Sequence, residues 1–155
     1  MKENIKIGII GLGQRGDIML ENPIIPMMKN GAGIEIAAVC DLLPDRVTAA
    51  AEKLEKAGFT RPMEFTDYKE LLKIKKLDAV YIAVSWEAHA EVAVAAMHAG
   101  KYVGLEAGGA YSVDDCCKLV RAYEETGTEL MLMENCCYGR RELMALNMAR
   151  KGVLG

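Results

Sequence analysis

The 155-residue sequence lacks a cluster of Lys and Arg residues, a C-x-x-C motif and any apolar run close to the ~18 residues of a membrane span. Its net charge is −3, and aromatic residues do not alternate with basic ones. Nucleic-acid binding therefore has little support, because that function depends on concentrated positive charge. The absence of a span and of a leader-like first segment predicts a cytoplasmic protein without a membrane partner.

The cysteines lack the pattern of a secreted protein that is held together by disulfides. There are five of them, an odd number, and four form two pairs of sequence neighbours, Cys116–Cys117 and Cys136–Cys137. A metal site built from the two pairs is one alternative, and small buried thiols are the expected one. The sequence therefore predicts no metal.

The sequence does contain enough apolar residues for a folded core. They make up 52% of the chain against 26% charged residues, a balance that excludes disorder and suits one compact domain. Many of them fall in short runs that are almost entirely apolar, which predicts strands buried on both faces of a parallel sheet. The runs are Ile5–Ile10, Ile34–Val39, Met63–Phe65, Ala79–Val84, Tyr102–Leu105 and Leu130–Met133.

Helix signals fill the segments between these runs. Asp67 and Ser112 are each followed three residues later by a carboxylate, which is the spacing of a capping box. Ser85 can cap a helix over residues 86–99, because serine favours the position before a first helical turn. The resulting alternation of strands and helices predicts an α/β fold of the doubly wound Rossmann type, with about six strands in a parallel sheet.

A glycine-rich turn follows the first predicted strand. Gly11, Gly13 and Gly16 form the pattern G-x-G-x-x-G, which gains meaning from its place between a strand and a helix. The first glycine allows a tight turn, the second lets a pyrophosphate approach the backbone, and the third lets helix and strand pack closely. The helix start adds N–H groups and partial positive charge. A glycine-rich turn without a ligand is the alternative interpretation.

Asp41 is the acid expected at the end of the second strand, where it would bind the adenosine ribose. It lies 25 residues after Gly16, whereas the usual distance is about 20. A proline-containing loop over residues 22–26 is expected to shorten the first helix and delay the second strand. The carboxylate would repel a 2′-phosphate, so NAD is favoured over NADP. Arg46 would weaken that preference if it reached the phosphate, and capping the following helix is the alternative role for Asp41.

The sequence resembles the Gfo/Idh/MocA family, the relatives of glucose–fructose oxidoreductase and inositol dehydrogenase. The resemblance is carried by the glycine turn, by Asp41, by Glu87-Ala88-His89 after a strand, and by Ala99-Gly100-Lys101-Tyr102-Val103 leading to Glu106. It covers the whole chain but only that family's N-terminal cofactor domain. The resemblance implies NAD as cofactor, a carbohydrate or polyol substrate, and a C-terminal substrate domain that often forms a dimer.

Two departures from the family's dehydrogenases concern catalysis. Those dehydrogenases have the motif Glu-Lys-Pro, whose lysine helps take the proton of the hydroxyl being oxidised. This sequence has Glu106-Ala107-Gly108 there, so alanine replaces the lysine. The segment Met133–Leu143 resembles a branch with NAD-dependent glycosidases, typified by α-N-acetylgalactosaminidase, where a tyrosine at the position of Tyr138 lies near the reaction centre. That resemblance implies oxidation of the sugar 3-hydroxyl, elimination of the glycosidic group, addition of water and return of the hydride.

The resemblance and the local pattern together define the candidate site. Glu106 is expected to contact the nicotinamide ribose, with a solvated loop acid as the alternative. Tyr138 and His89 are the predicted catalytic residues, each with ordinary packing as the alternative. The predicted cofactor contacts are Gly11, Gly13, Gln14, Arg15, Gly16, Asp41, Arg46, Ser85, Trp86, His89, Glu106 and Asn135.

The sequence leaves three functions open. It predicts the NAD-binding domain of an oxidoreductase acting on carbohydrates or polyols, with a redox-neutral NAD-dependent glycosidase and a non-catalytic NAD-binding module as alternatives. Residues 1–137 are the predicted dinucleotide-binding domain, and residues 138–155 are a helix and the start of a connection to a second domain. The sequence is therefore expected to be a fragment that is inactive alone, of a protein that is a homo-oligomer at full length.

Overall fold

A computed structural model describes residues 4–154, in which six parallel strands form one sheet in the order β3-β2-β1-β4-β5-β6. The chain moves outward from β1 to β3, returns to the centre and moves outward again from β4 to β6. The order therefore reverses between β1 and β4, which confirms the predicted doubly wound fold. The strands are β1 Ile5–Ile10, β2 Ile34–Cys40, β3 Met63–Phe65, β4 Ala79–Ile82, β5 Tyr102–Glu106 and β6 Leu130–Met133.

Helices cover both faces of this sheet, as the apolar character of its strands predicts. The helices are α1 Gln14–Met19, α2 Ile25–Lys29, α3 Pro44–Lys56, α4 Tyr68–Leu72, α5 Trp86–His98, α6 Val113–Thr126 and α7 Arg140–Arg150. A π-helical turn, Leu20–Ile24, joins α1 to α2, and a 3₁₀ turn, Cys136–Tyr138, precedes α7. None of these helices is both long and apolar enough to cross a membrane.

The loop predicted over residues 22–26 is helical instead. Pro23 lies inside the π-helical turn, and Pro26 lies in the first turn of α2. Proline has no N–H and its ring would collide with a carbonyl in a regular α-helix, but the wider π turn changes that spacing. The long distance to Asp41 therefore comes from additional helical residues and not from a loop.

The two faces of the sheet bury separate hydrophobic clusters. Ile9 and Tyr81 point to the side of α1, α2 and α3, whereas Ile10 and Ile82 point to the side of α4, α5 and α6. This alternation follows from the period of two in a strand. Tyr81 is the polar member of the first cluster, so its hydroxyl lies on the side of the sheet from which the glycine turn enters α1.

Side chains at the helix starts follow the predictions in part. Ser112 Oγ accepts a hydrogen bond from Asp115 N at 3.1 Å, as a capping box requires, and Asp67 accepts from Lys69 N at 2.8 Å. Ser85 precedes α5, but within residues 4–154 its side chain forms no capping bond. The prediction of side-chain capping by Ser85 is therefore wrong.

The prediction that the cysteines are small buried thiols is also wrong for four of them. Cys40 is buried at the end of β2, but the two neighbouring pairs are exposed. Their elements, α6 and the 3₁₀ turn before α7, lie at the outer end of the sheet, where little of the described chain covers them. Within residues 4–154, no group of three or more His, Cys, Asp or Glu side chains is arranged to hold a metal ion.

Candidate dinucleotide-binding site

A cavity of about 660 Å³ lies at the carboxyl ends of the central strands, beside the point where the strand order reverses. Ligands of open α/β sheets bind in this crevice. It is lined by Ile10, Gly11, Gly13, Gln14, Arg15, Cys40, Asp41, Leu42, Leu43, Arg46, Thr66, Tyr68, Ala83, Val84, Ser85, Ala88 and Val92. Seven of the twelve predicted cofactor contacts are in this set.

The glycines of the turn after β1 have three different surroundings. Gly11 has φ of +94°, and a Cβ there would collide with the carbonyl oxygen of Ala83. A Cβ on Gly16 would collide with the carbonyl oxygen of Gly11. Gly13 has ordinary extended angles, and its hypothetical Cβ meets only Arg46 Nη1, at 3.5 Å. Gly13 therefore leaves room for something that enters the cavity, while Gly11 and Gly16 are required by the fold.

Asp41 is held by backbone groups of the glycine turn and of the segment after β2. It is 9% exposed, its Oδ2 accepts from Leu12 N at 2.7 Å, and its Oδ1 accepts from Leu43 N at 3.0 Å. Arg46 Nη1 lies 3.7 Å from Oδ1. The residue before α3 is Leu43, so Asp41 is not the cap of that helix. Its carboxylate instead ties the glycine turn to the end of β2.

Glu106 ends β5 and is 6% exposed. Its Oε1 accepts a hydrogen bond from the Tyr81 hydroxyl at 2.8 Å and lies 3.0 Å from Arg15 Nη2, while Oε2 accepts from Ala107 N at 3.2 Å. Burial raises the pKa of Glu106, but the hydrogen bonds from Arg15 and Tyr81 outweigh burial and leave the pKa below its usual value. Glu106 is therefore an ionised carboxylate whose two side-chain partners, Arg15 and Tyr81, come from distant parts of the chain.

Arg15 and Tyr81 respond to the same contact. The hydrogen bond to Glu106 raises the pKa of Arg15, and burial together with the bond to Glu106 raises the pKa of Tyr81. Both shifts favour the charge states in which Arg15 and Tyr81 donate to Glu106. Arg15 was predicted to contact the cofactor, and it does line the cavity, but its guanidinium pairs with Glu106.

His89 is 1% exposed and does not line the cavity. Its Nε2 lies 3.1 Å from Val84 O, and because a carbonyl can only accept, Nε2 carries the proton. Burial lowers the pKa of His89, so the ring is neutral. Nδ1 has no hydrogen-bond partner within residues 4–154. This placement favours packing against the turn after β4 over a role as a proton shuttle.

The other predicted contacts lie outside the cavity. Trp86 is 62% exposed, and its indole packs on Gly108, where a Cβ would lie 3.0 Å from Trp86 Nε1. Asn135 and Tyr138 are exposed beyond the end of β6, and Tyr138 is 67% exposed. Of the predicted contacts after β4, Ser85 does line the cavity, as do its neighbours Ala83 and Val84.

Sequence reasoning missed several residues of the site. Leu42 and Leu43 line the cavity although they are 84% and 51% exposed, and two exposed leucines directly after the expected ribose acid were an available signal. Tyr68 lines it from the start of α4. Tyr81 was visible only as a hydroxyl in an otherwise apolar strand, and nothing in the sequence pairs it with Glu106.

These residues fit a dinucleotide. The turn at Gly13 has open space beside its backbone, as a phosphate group would need, and Asp41 lines the same cavity. The exposed side chains of Leu42 and Leu43 supply apolar surface of the kind that an adenine ring covers. Glu106 lies beyond the cavity and is joined to it through Arg15.

Comparison with known proteins gives a family match over most of the chain. The Gfo/Idh/MocA profile, described as an oxidoreductase family with an NAD-binding Rossmann fold, matches residues 5–134. Glycosyl hydrolase family 109 protein 1 of Bacteroides thetaiotaomicron is 40% identical over 99% of this chain and 32% of its own length. A Glycosyl hydrolase family 109 protein of Streptomyces niveus is 37% identical over 99% of this chain and 31% of its own length. The chain thus spans about a third of these curated relatives.

Solved structures agree with the fold. The WlbA dehydrogenase of Bordetella pertussis, in complex with NADH and UDP-GlcNAcA, superposes with a TM-score of 0.83 at 22% identity, covering 97% of this chain and 43% of that one. The myo-inositol 2-dehydrogenase of Lactobacillus plantarum superposes with a TM-score of 0.81 at 20% identity, covering 99% of this chain and 43% of that one. At these identities the likeness concerns the fold alone.

Proposed function

Because the chain belongs to the Gfo/Idh/MocA oxidoreductase family and carries its NAD-binding Rossmann domain, we propose that the complete protein is an NAD-dependent enzyme that cleaves glycosides. Relatives that match over 97–99% of the chain at 36–40% identity are named glycosyl hydrolase family 109 proteins. Their names describe those proteins, and the proposal extends the activity to this one.

The observation that carries the proposal is the chain at the end of β5. Glu106 is kept and ionised, but Ala107 and Gly108 stand where the family's dehydrogenases have Lys and Pro. A simple alcohol dehydrogenase needs a proton acceptor within hydrogen-bond reach of the reacting hydroxyl. Residues 4–154 offer no lysine at this place, which favours the branch that does not depend on it.

Each part of the site has a proposed role in holding the cofactor. Gly13 and the N–H groups that follow it receive the diphosphate, and Asp41 accepts the hydroxyls of the adenosine ribose. Glu106 accepts a hydroxyl of the nicotinamide ribose. Ser85 lies along the path between these two ends, where it lines the cavity.

The reaction needs a hydride carrier that is regenerated within each turnover. Bound NAD supplies reversible hydride transfer, which lets a sugar be oxidised, lose its glycosidic group, add water and be reduced again. The proposed contribution of Tyr138 is proton transfer at the substrate. Its hydroxyl is exposed and follows β6, so it is available to a substrate held by the remainder of the protein.

A dehydrogenase of carbohydrates or polyols is the second candidate. It is favoured by the description of the family as oxidoreductases. The two candidates differ in net redox change, because a dehydrogenase accumulates reduced cofactor in step with its product, whereas the glycosidase leaves the cofactor oxidised.

One assay decides between them. The complete protein is incubated with NAD⁺ and a panel of aryl glycosides, and aglycone release and the absorbance of reduced cofactor are followed together. Aglycone release without accumulation of reduced cofactor is expected. Accumulation of reduced cofactor in proportion to product would favour the dehydrogenase, and binding of NAD⁺ without turnover would favour a non-catalytic module.

The organisation of the complete protein is also a proposal. Residues 1–137 form the cofactor domain, and residues 138–155 begin the connection to a C-terminal domain that binds the substrate. The exposed apolar side chains of α7 support a packed partner there, and we place the complete protein in the cytoplasm as a homo-oligomer.

A further inference from the structure

We propose that Tyr81 and Arg15 are positioning residues, which fix the carboxylate of Glu106 so that one of its oxygens is saturated and the other keeps one acceptor position for the cofactor. This inference rests on the proposed function, because it takes the nicotinamide ribose as the ligand of Glu106. It adds a role for two residues that do not themselves need to touch that ribose.

The hydrogen-bond geometry of Glu106 identifies the free position. A carboxylate offers about four acceptor positions, two on each oxygen. Oε1 receives Tyr81 Oη at 2.8 Å and Arg15 Nη2 at 3.0 Å, so both of its positions are used. Oε2 receives only Ala107 N, at 3.2 Å. One position therefore remains, and it is on Oε2.

The hydroxyl of Tyr81 serves this contact and not the core. The Tyr81 ring packs with Ile9 and Leu20 in the cluster on the α1 side, and a phenylalanine would fill the same space. The residue is 6% exposed, so its hydroxyl needs a partner, and Glu106 is the partner it has. Because a buried Tyr hydroxyl cannot easily leave its partner, it restrains the rotamer of Glu106.

Arg15 connects Glu106 to the glycine turn. The Arg15 side chain is 42% exposed, whereas the Glu106 side chain is 8% exposed, so the pair reaches from solvent to the buried end of β5. Arg15 lines the cavity, and neither Glu106 nor Tyr81 does. The Arg15 guanidinium therefore links two parts of the proposed site. One is the glycine turn, which would bind the diphosphate, and the other is Glu106, which would bind the nicotinamide ribose.

The charged and titratable groups around Glu106 determine how its proposed contact with the cofactor depends on pH. Arg15 faces it from α1, Tyr81 from β4, and His89 from α5, where burial keeps the imidazole neutral. An acceptor of a ribose hydroxyl works as a carboxylate, so binding is present above the Glu106 pKa and is lost as the pH falls through it. Without Tyr81 or Arg15, burial raises that pKa with less opposition, and the loss moves toward neutral pH.

The test measures the affinity of the complete protein for NAD⁺ by calorimetry from acid to neutral pH. Tyr81→Phe and Arg15→Met are each expected to weaken binding at neutral pH about three- to tenfold, the size of one lost hydrogen bond. Both are expected to move the acid loss of affinity to higher pH. In a Glu106→Gln background the affinity for NAD⁺ is expected to be weak, and the same variants are expected to change it little, because the group they position is gone.

Matched controls remove a tyrosine hydroxyl or an arginine guanidinium at positions away from the site. Tyr102→Phe removes a hydroxyl from an exposed tyrosine on β5, and Arg61→Met removes an arginine that pairs with Glu55 and Glu64. Both are expected to keep the wild-type affinity and pH profile. Arg15→Lys should restore part of what Arg15→Met loses, since a cation and a donor are returned.

The outcomes separate this inference from the function on which it rests. If the wild-type protein binds no NAD⁺, the proposed function and the inference are both overturned. If it binds NAD⁺ but Arg15→Met and Tyr81→Phe keep the wild-type pH profile, only the inference is overturned. Circular dichroism checks that each variant is folded. If Tyr81→Phe is not folded, Arg15→Met decides alone, because the Arg15 side chain is nearly half exposed and its replacement should not disturb the core.

Discussion

The glycines after β1 have different expected roles: Gly13 in binding the ligand and Gly11 in maintaining the fold. A Cβ at Gly13 meets only the end of a flexible arginine, whereas a Cβ at Gly11 meets the backbone of Ala83 at a positive φ. We expect Gly13→Ala to keep the free energy of unfolding within about 1 kcal/mol and to weaken NAD binding at least tenfold.

Gly11→Ala is the matched comparison. It should lower the free energy of unfolding by roughly 2–4 kcal/mol, because backbone strain and a steric collision add. Urea denaturation and calorimetry on the two variants measure both quantities. Equal losses of stability would contradict the assignment of Gly13 to the ligand and Gly11 to the fold.

Asp41 is the residue that we expect to set the preference for NAD over NADP. Asp41→Asn removes the charge that would repel a 2′-phosphate, and its NH₂ group cannot accept from the N–H of Leu12 or Leu43. The ratio of NAD to NADP affinity is expected to fall about tenfold or more, equivalent to ~1.4 kcal/mol. Asp45→Asn, at an exposed position in the first turn of α3, is the control for net charge. An unchanged ratio in Asp41→Asn would exclude Asp41 as the discriminating residue.

For single residues, the sequence predicts where the acidic side chains of the site lie, but not which side chains they contact. Asp41 and Glu106 were predictable because each directly follows an apolar run, where the carboxyl end of a strand must lie. The contact of Glu106 with Tyr81 joins residues 25 positions apart on neighbouring strands, and only the register of β4 and β5 brings them together. Register and rotamer are properties of the packed sheet, so the sequence alone did not reveal them.

Among the elements, the strands were more predictable than the connection after α1. All six predicted strands are present, and their bounds differ by at most two residues at the carboxyl ends. The segment over residues 22–26 was predicted as a loop because proline usually interrupts a helix. The π turn that contains Pro23 depends on the helical segments on both sides of it. A short window of sequence around the prolines does not reveal those neighbouring segments.

Lys101 links the start of β5 to the segment between α4 and β4, at the edge of the sheet opposite the cavity. It is 6% exposed, and its Nζ donates to the carbonyl oxygens of Ile74 and Leu77 in that segment, both at 2.8 Å. Lys101→Met leaves both carbonyls without this donor and should lower the free energy of unfolding by about 2–4 kcal/mol. NAD affinity should not change, because the site lies at the other edge.

Urea denaturation and calorimetry check this expectation. Lys75→Met, an exposed position in the same connection, is expected to change the stability by less than about 0.5 kcal/mol. A Lys101→Met variant as stable as Lys75→Met would show that the two carbonyl contacts contribute little.

For the molecule as a whole, the outer edge at β6 and α7 has an uncovered apolar surface. Its exposed residues include Met131, Leu132, Leu143, Met144 and Leu146. We expect residues 1–155, produced by themselves, to self-associate through this surface and to show no glycoside turnover, because they span only about a third of the length of the curated relatives.

Sedimentation at rising concentration tests the self-association. A Leu143→Glu/Met144→Glu variant should shift the chain toward the monomer, whereas Met27→Glu, at an exposed apolar position on α2, should not. A wild-type chain that remains monomeric at high concentration would contradict the assignment of this surface as an interface.

The ion pair between Arg15 and Glu106 also has a consequence for how the protein is made. The ribosome releases the chain from its N-terminus, and nearby partners can meet before distant ones. Asp41 and the turn it holds can associate early, but Arg15 must wait until β4 and β5 have been synthesised and aligned. The proposed anchor for the nicotinamide ribose is thus completed late, and a nascent chain that pauses before residue 106 is expected to bind the nucleotide more weakly than the finished domain.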